Sequence, residues 1–217
     1  VPLSETDNVF GYSCRAVQAV YKDTGNERNR RKVMVTLVLG GSGSGKSAIA
    51  ESMLEDMKDV EVKYYLATMQ VYDEDAQRKV NRHRELRRGK GFRTIEQPRD
   101  ILQALDQMDP SRLGESAVLL ECMSNLAANE MFGKDVRPAD EVVRNIVQGI
   151  RILRNRVRHL IIVSNNVFED GVRYDPATTA YMDALGKINC VLASESDEVT
   201  EVVAGIPVIL KKERGKK

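Results

Sequence analysis

Short apolar runs alternate with longer amphipathic segments along the chain from Val33 onward. The apolar runs are nearly continuous, which is typical of strands buried on both faces of a parallel sheet. They predict strands at 33–39, 61–67, 116–121, 159–164, 199–203 and 206–210. The amphipathic segments predict helices at 46–57, 73–88, 99–107, 123–132, 138–155 and 175–192. This alternation indicates an α/β fold with a mostly parallel sheet and helices on both faces.

The two ends of the chain depart from this alternation. Gly205 and Pro207 separate the last two apolar runs, which predicts a closing hairpin at the edge of the sheet. Residues 1–32 are predicted to form an N-terminal appendage that ends in a basic linker, Thr24–Lys32. We therefore expect one main domain at 33–217, preceded by this appendage.

Composition narrows the choice of partners and compartment. The 217 residues carry 33 basic and 32 acidic side chains, a formal net charge of +1, so the overall balance favours neither nucleic acid nor a membrane surface as a partner. Cys14, Cys122 and Cys190 are scattered, which fits reduced thiols better than a disulfide framework. No apolar run approaches the ~18 residues of a membrane span. We expect a soluble, cytoplasmic protein.

The most specific motif directly follows the first predicted strand. The sequence GGSGSGKS matches the phosphate-binding pattern G-x-x-x-x-G-K-[ST], and a predicted helix begins inside it. In such a loop the backbone N–H groups and the helix N-terminus bind phosphate. The lysine contacts the β- and γ-phosphates and the last hydroxyl ligates Mg²⁺. The predicted nucleotide-binding residues here are Gly40, Gly41, Ser42, Gly43, Ser44, Gly45, Lys46 and Ser47.

Glu121 ends another predicted strand, and its position suggests a role at the same phosphate site. In phosphate-loop proteins an acidic residue at the carboxyl end of a neighbouring strand faces the Mg²⁺ ion. Glu121 is therefore predicted to contact magnesium or the nucleotide, and Ser47 is the second predicted magnesium ligand. An exposed carboxylate at a strand end is the alternative interpretation.

His83 lies in a predicted helix that is rich in arginine. Lys79, His83 and Arg87 are spaced four apart, so they share one face of this helix. Such a face could hold the charge of a triphosphate while the imidazole attacks phosphorus, and neighbouring cations favour the neutral, nucleophilic imidazole. The alternative is a surface histidine on a solvated basic face. His159, which opens an apolar strand, is assigned no catalytic role.

Further segments occur in a fixed order after the phosphate loop: YYLATM at 64–69, the His83 helix, T-I-E-Q-P at 94–98, LLEC at 119–122, SNNVFEDG at 164–171, and then Asp183, Gly186 and Asn189. In this order and spacing the chain resembles the bifunctional adenosylcobinamide kinase/adenosylcobinamide-phosphate guanylyltransferase family of cobalamin assembly. The resemblance extends over about 33–210. Its most specific element is the H-x-x-x-R helix at a fixed distance after Y-x-A-T.

The resemblance implies a P-loop NTPase (RecA-like) fold and two linked activities. A nucleoside triphosphate, ATP or GTP, phosphorylates adenosylcobinamide, and GTP then transfers GMP through a GMP–histidine intermediate to give adenosylcobinamide-GDP. It implies that His83 is the guanylylated residue, with Lys46 as the second catalytic residue. Further implied nucleotide contacts are Ala67, Thr68, Met69, Arg84, Arg87, Glu96 and Glu121. The implied cofactor is Mg²⁺, the implied partner is a corrinoid, and the implied assembly is a homo-oligomer, a trimer in this family.

Three positions depart from the family pattern. Gly43 stands where the phosphate loop often has Arg, Lys79 stands where Arg is usual, and Asn166 occupies the Glu position of T-N-E-V. Lys79 keeps the charge but loses the bidentate geometry of arginine. Two alternatives stay open: a small-molecule kinase without guanylyl transfer, and a non-catalytic nucleotide-binding switch.

Overall fold

A computed structural model of the chain describes residues 33–70, 77–78, 81, 84–85, 88–168 and 172–212. The predicted appendage 1–32 therefore lies outside the described residues. So do Lys79, His83 and Arg87 of the predicted basic helix. Residues 77, 78, 81, 84 and 85 are helical, in agreement with the helix predicted over 73–88.

Within the described residues, strands and helices alternate as the sequence predicts. The strands are β1 (Met34–Gly40), β2 (Val62–Ala67), β3 (Arg93–Glu96), β4 (Ser116–Glu121), β5 (His159–Asn165), β6 (Glu198–Val203) and β7 (Ile206–Lys212). The α-helices with defined bounds are α1 (Lys46–Asp56), α2 (Met123–Phe132), α3 (Ala139–Arg154) and α4 (Pro176–Glu195). Two 3₁₀ helices, Ile101–Gln107 and Leu113–Glu115, precede β4.

These strands form one sheet in the order β3-β2-β4-β5-β1-β6-β7. Every neighbouring pair is parallel except β6 and β7, which are antiparallel. The predicted parallel α/β sheet and its closing hairpin are thus confirmed. Since parallel strands end at one edge of the sheet, the ends of β1, β2, β4 and β5 lie together, where ligands bind in such sheets.

Two details differ from the sequence prediction. β3 was not expected, because its four residues include a single buried apolar side chain, Ile95, which is too short a pattern to indicate a strand. The helix predicted at 99–107 is instead the 3₁₀ helix Ile101–Gln107. It begins after Asp100, whose φ of 47° lies in the left-handed region that non-glycine residues rarely adopt.

Each face of the sheet has its own hydrophobic core. On one face, α2, α3, α4 and the 3₁₀ helix Ile101–Gln107 cover alternate strand residues such as Leu37 and Leu120. On the other face, α1 covers the remaining alternate residues, such as Val38 and Leu119. The strands are therefore apolar in nearly every position, because both of their faces are buried.

The β6–β7 hairpin contributes to the phosphate loop as well as to the edge of the sheet. Ala204 and Gly205 form its turn, both with positive φ, as two-residue turns between twisted strands require. The Gly205 N–H donates to the carbonyl of Ser44 at 2.8 Å. The hairpin turn therefore supports the loop that connects β1 to α1.

Candidate functional site

The phosphate loop connects β1 to α1 at the carboxyl edge of the sheet. Gly43 and Gly45 have φ values of 72° and 92°, so the turn requires residues that tolerate the left-handed region. Lys46 is 7% exposed, and its ammonium donates to the carbonyl of Gly41 at 3.0 Å. The lysine head therefore folds back over the loop, above the N-terminus of α1, where the helix favours anionic groups.

Ser47 and Glu121 meet beside this loop. The Ser47 hydroxyl donates to Oε1 of Glu121 at 2.6 Å, although the residues belong to α1 and to the end of β4. A hydroxyl and a carboxylate oxygen are ligands that Mg²⁺ accepts, and this ion usually completes its shell with water and phosphate oxygens. The two predicted magnesium ligands thus lie together and fit the ion by the chemistry of their donors.

Thr68, directly after β2, holds the end of β4 in place. It is fully buried; its hydroxyl accepts from the Cys122 N–H at 2.8 Å and lies 3.0 Å from the Glu121 carbonyl. The Thr68 N–H also donates to that Glu121 carbonyl at 2.9 Å. Its side chain thus positions Glu121. Contacts of Ala67, Thr68 and Met69 with nucleotide stay predictions.

Glu96 ends β3 next to Ala67 and forms an ion pair with Arg84. The Arg84 Nε donates to Glu96 Oε1 at 2.9 Å, and both side chains are about half exposed. This pair connects the predicted basic helix to the edge of the sheet. The sequence placed both residues in the site separately, and their pairing is a finding of the structure.

A second ion pair connects the turn between the predicted basic helix and β3 to α1, the helix that follows the phosphate loop. Lys90 donates to Glu51 of α1 at 2.8 Å, and the Glu51 side chain is 8% exposed. This hydrogen bond raises the pKa of Lys90. Phe92, two residues later, stacks on Tyr65 of β2 with ring centroids 6.3 Å apart. Sequence reasoning missed these contacts, because nothing local distinguishes Lys90 from other cations in a basic run.

A polar network lies at the carboxyl end of β5 and was only partly visible in the sequence. The Ser164 hydroxyl donates to Asn189 Oδ1 at 2.6 Å, and the Asn189 amide donates to the Asn165 carbonyl at 3.3 Å. Asn165 in turn donates to the Ser124 hydroxyl at 2.8 Å. A Cβ added to Gly186 would lie 3.6 Å from the Phe168 ring. The part of α4 that carries the D-x-x-G-x-x-N motif therefore packs against the S-N-N-V-F segment.

Asn166, the departure from T-N-E-V, lies against the start of the phosphate loop. Its N–H donates to the Gly40 carbonyl at 3.0 Å, and its amide nitrogen lies 3.4 Å from Oε1 of Glu201 on β6. A carboxylate is therefore present near Asn166, although it comes from another strand.

Cys122 and Tyr181 lie close to this network but are not suited to acid–base chemistry. Burial raises the pKa of the Cys122 thiol, and the charge of Glu121 raises it further. Burial raises the pKa of Tyr181 to about 12. Both groups therefore stay neutral at physiological pH, and they contribute packing and hydrogen bonds, including one from the Tyr181 hydroxyl to the Ser124 carbonyl at 3.2 Å.

The strand order, the phosphate loop and the paired Ser47 and Glu121 define a P-loop nucleotide-binding protein of the mostly parallel α/β class. The family model described as cobinamide kinase / cobinamide phosphate guanyltransferase matches residues 36–210. The chain belongs to this family, which confirms the resemblance seen in its motifs.

Two individual relatives, from Escherichia coli and Salmonella typhimurium, agree with this assignment. The bifunctional adenosylcobalamin biosynthesis protein CobU of Escherichia coli (strain K12) is 30% identical over 189 residues, which cover 82% of this chain and all of the relative. The protein of the same name from Salmonella typhimurium is 31% identical with the same coverage. The ATPase domain of G40P has a TM-score of 0.48 at 13% identity, covering 84% of this chain and 78% of that chain.

The described residues contain neither a membrane-spanning helix nor a metal-binding cluster of side chains. Within residues 33–212, apart from the gaps, no helix is long and apolar enough to cross a membrane. The same residues hold no cluster of three or more His, Cys, Asp or Glu side chains that could bind a metal ion by themselves. A magnesium ion at Ser47 and Glu121 would thus depend on ligands from the nucleotide and water.

Proposed function

We propose that this chain phosphorylates the hydroxyl of adenosylcobinamide with a nucleoside triphosphate and then transfers GMP from GTP to the resulting phosphate. The observation that carries the proposal is the phosphate loop with Ser47 and Glu121 paired beside it, in a chain that belongs to the cobinamide kinase / cobinamide phosphate guanyltransferase family. ATP and GTP are both proposed as phosphate donors, and GTP as the guanylyl donor.

The kinase reaction needs positioning and neutralisation of charge more than covalent chemistry. Lys46 lies over the loop, at a helix N-terminus, so we assign it the contact with the transferring phosphate. Ser47 and Glu121 would hold Mg²⁺, which neutralises the phosphate oxygens when bound. The loop residues Gly40–Gly45 would supply backbone N–H groups to the phosphates.

For guanylyl transfer we assign the nucleophile to His83. Its nitrogen would form a bond to the α-phosphorus of GTP as pyrophosphate leaves, and the phosphate of the corrinoid would then displace the histidine. Arg84 follows His83 directly in the sequence, and Arg84 and Arg88 line a cleft of about 770 Å³ with Phe92 and Thr94. These cations favour a nucleotide there. We propose that Arg84 and Glu96, together with Arg87, contact it.

We further propose a homo-oligomer, with a trimer expected from the family resemblance. β7 supports the proposal, because Ile206, Val208, Ile209 and Leu210 are 44–66% exposed on an edge strand. Exposed apolar edge strands are usually covered by a partner. Light scattering during gel filtration would measure the mass, and a monomer of 24.3 kDa would contradict this part of the proposal. A reducing, cytoplasmic location is proposed as well, since Cys122 and Cys190 are free thiols.

Covalent labelling tests the two-step proposal. The protein is incubated with α-³²P-GTP and Mg²⁺ and then denatured, and we expect it to retain label that is lost in acid and survives alkali, as a histidine phosphoramidate does. His83→Ala should abolish labelling and guanylyl transfer but keep kinase activity, because Lys46 and the phosphate loop are unchanged. His159→Gln is the matched control and should label normally.

The same experiment separates the alternatives. Wild-type protein that phosphorylates adenosylcobinamide without ever retaining label would support the kinase without guanylyl transfer. Nucleotide binding without any substrate-dependent turnover would support the non-catalytic switch.

A further inference from the structure

A cleft separate from the phosphate loop opens between α3 and the 3₁₀ helix Ile101–Gln107. Its volume is about 730 Å³, within the usual range for small-molecule sites. Leu102 and Gln103 of the 3₁₀ helix line it, together with Asn145 and Gln148 of α3 and Glu130 of α2.

A buried charge network forms one part of this cleft. Glu130 is 3% exposed; its Oε1 accepts from the Asp100 N–H at 2.6 Å and its Oε2 pairs with Arg137. Arg137 also donates to Asp100 Oδ1 at 3.1 Å. These contacts hold Asp100 in its left-handed conformation, with φ at 47°. Backbone strain of this kind occurs preferentially at binding and active sites.

The other lining residues offer hydrogen-bonding groups that the protein does not use. Among the described residues, the amides of Gln103, Asn145 and Gln148 have no side-chain hydrogen-bond partner. Leu102 adds apolar surface and is 36% exposed. The cleft therefore combines free carboxamides with an apolar contact, which suits a ligand that carries both amide groups and apolar surface.

Charge distinguishes this cleft from the cleft lined by Arg84 and Arg88. Its lining has three carboxylates, on Asp100, Glu130 and Glu141, and two guanidinium groups, on Arg137 and Arg144. The other cleft has arginines 84 and 88 against a single carboxylate, Glu85. The lining of this cleft therefore disfavours a polyanion such as a nucleotide and suits a neutral or cationic molecule.

The position of the cleft is compatible with a substrate that also reaches the phosphate loop. Glu121 pairs in register with Ala67 on β2, and Ala67 pairs with Glu96 on β3. Two strand spacings, about 10 Å, therefore separate Glu121 from the strand that leads to Asp100. A molecule of corrinoid size can span this distance.

We propose that this cleft binds the carboxamide periphery of the corrinoid substrate, an inference that rests on the proposed function. A corrinoid carries primary carboxamides around an apolar macrocycle, and its alkylated cobalt(III) form is cationic, so it matches the free amides, Leu102 and the acidic balance of the lining. Asn145 and Gln148 hydrogen-bond the carboxamides and thereby hold the substrate in the cleft.

Equilibrium dialysis of the full chain with adenosylcobinamide, without nucleotide, tests the site, and the visible absorbance of the corrinoid measures binding. The double variant Asn145→Ala/Gln148→Ala changes two exposed helix positions to a residue that favours helix, so it should fold. We expect about tenfold weaker corrinoid binding, as the loss of two hydrogen bonds predicts. The KM for corrinoid should rise equally, with kcat and the KM for ATP unchanged.

Arg156 is an exposed residue just beyond the carboxyl end of α3, away from the cleft lining, and it serves as the control. The variant Arg156→Ala should bind corrinoid as the wild type does. Equal corrinoid affinity in the double variant and the wild type would overturn the proposed cleft while leaving the proposed function intact. A wild-type protein that neither binds nor phosphorylates adenosylcobinamide would instead overturn both.

Discussion

The hydroxyl of Ser47 donates to a carboxylate oxygen of Glu121 at 2.6 Å, although 74 residues separate the two in sequence. Ser47 lies in the first turn of α1 and Glu121 ends β4, and β5 lies between β1 and β4 in the sheet. The parallel arrangement brings them together because both follow strand ends at one edge. This pair is where we place the magnesium ion.

Glu121→Gln should weaken magnesium-dependent activity while preserving the fold. The substitution removes a negative charge with little change in volume, so we expect the Mg²⁺ concentration for half-maximal kinase activity to rise by about 10- to 100-fold. Titration of activity with Mg²⁺ measures this. Glu115→Gln, just before the start of β4, is the control. An unchanged magnesium dependence in Glu121→Gln would make Glu121 a structural residue.

Lys46→Ala should nearly abolish phosphorylation of the corrinoid. The ammonium stabilises charge on the transferring phosphate, and loss of one such group typically lowers kcat by about 10²–10³-fold. Steady-state kinetics with adenosylcobinamide would measure the loss. The exposed Lys58, changed to alanine, should retain wild-type turnover. Near-normal kcat in Lys46→Ala would contradict the role given to the phosphate loop.

Gly149→Ala should destabilise the protein, because a Cβ there would lie 2.6 Å from Cγ2 of the buried Ile101. Overpacking of this kind costs about 1–3 kcal/mol, and the better helix propensity of alanine offsets part of it, so we expect a net loss of about 1–2 kcal/mol. Denaturant unfolding measures the free energy. Gly114→Ala, where a Cβ has nothing within 4 Å, should change it by less than about 0.5 kcal/mol.

Asp59 should make stability depend on pH in the acid range. The hydrogen bonds with His159 and then with Arg158 lower the pKa of Asp59 from 3.8 to about 2. Since the folded-state pKa is depressed, this contribution is fully present above about pH 4 and is lost as the pH falls through 2. Asp59→Asn should lower the melting temperature at neutral pH and flatten its decrease between pH 4 and 2. If the melting temperatures of wild type and variant decrease by the same amount between pH 4 and pH 2, the effect is excluded.

The elements closest to the phosphate site were predictable from local sequence. β1, the loop and α1 follow one another directly, and a continuous apolar run before GGSGSGKS indicates them without any knowledge of distant residues. The strand ending at Glu121 is predictable for the same reason, because strands buried on both faces are apolar at nearly every position. Four-residue β3 was missed, since its burial depends on β2 rather than on its own pattern.

The local sequence determines where strands and helices form and which residue types end them. Only the tertiary structure decided which of those residues meet. The order of strands brings Ser47 to Glu121, the β6–β7 turn to Ser44, and Lys90 to Glu51. It also forms the cleft between α3 and the 3₁₀ helix Ile101–Gln107. Hydrophobic periodicity records whether a residue is buried, but it does not record its partner, because apolar burial is non-directional and many arrangements bury the same side chains.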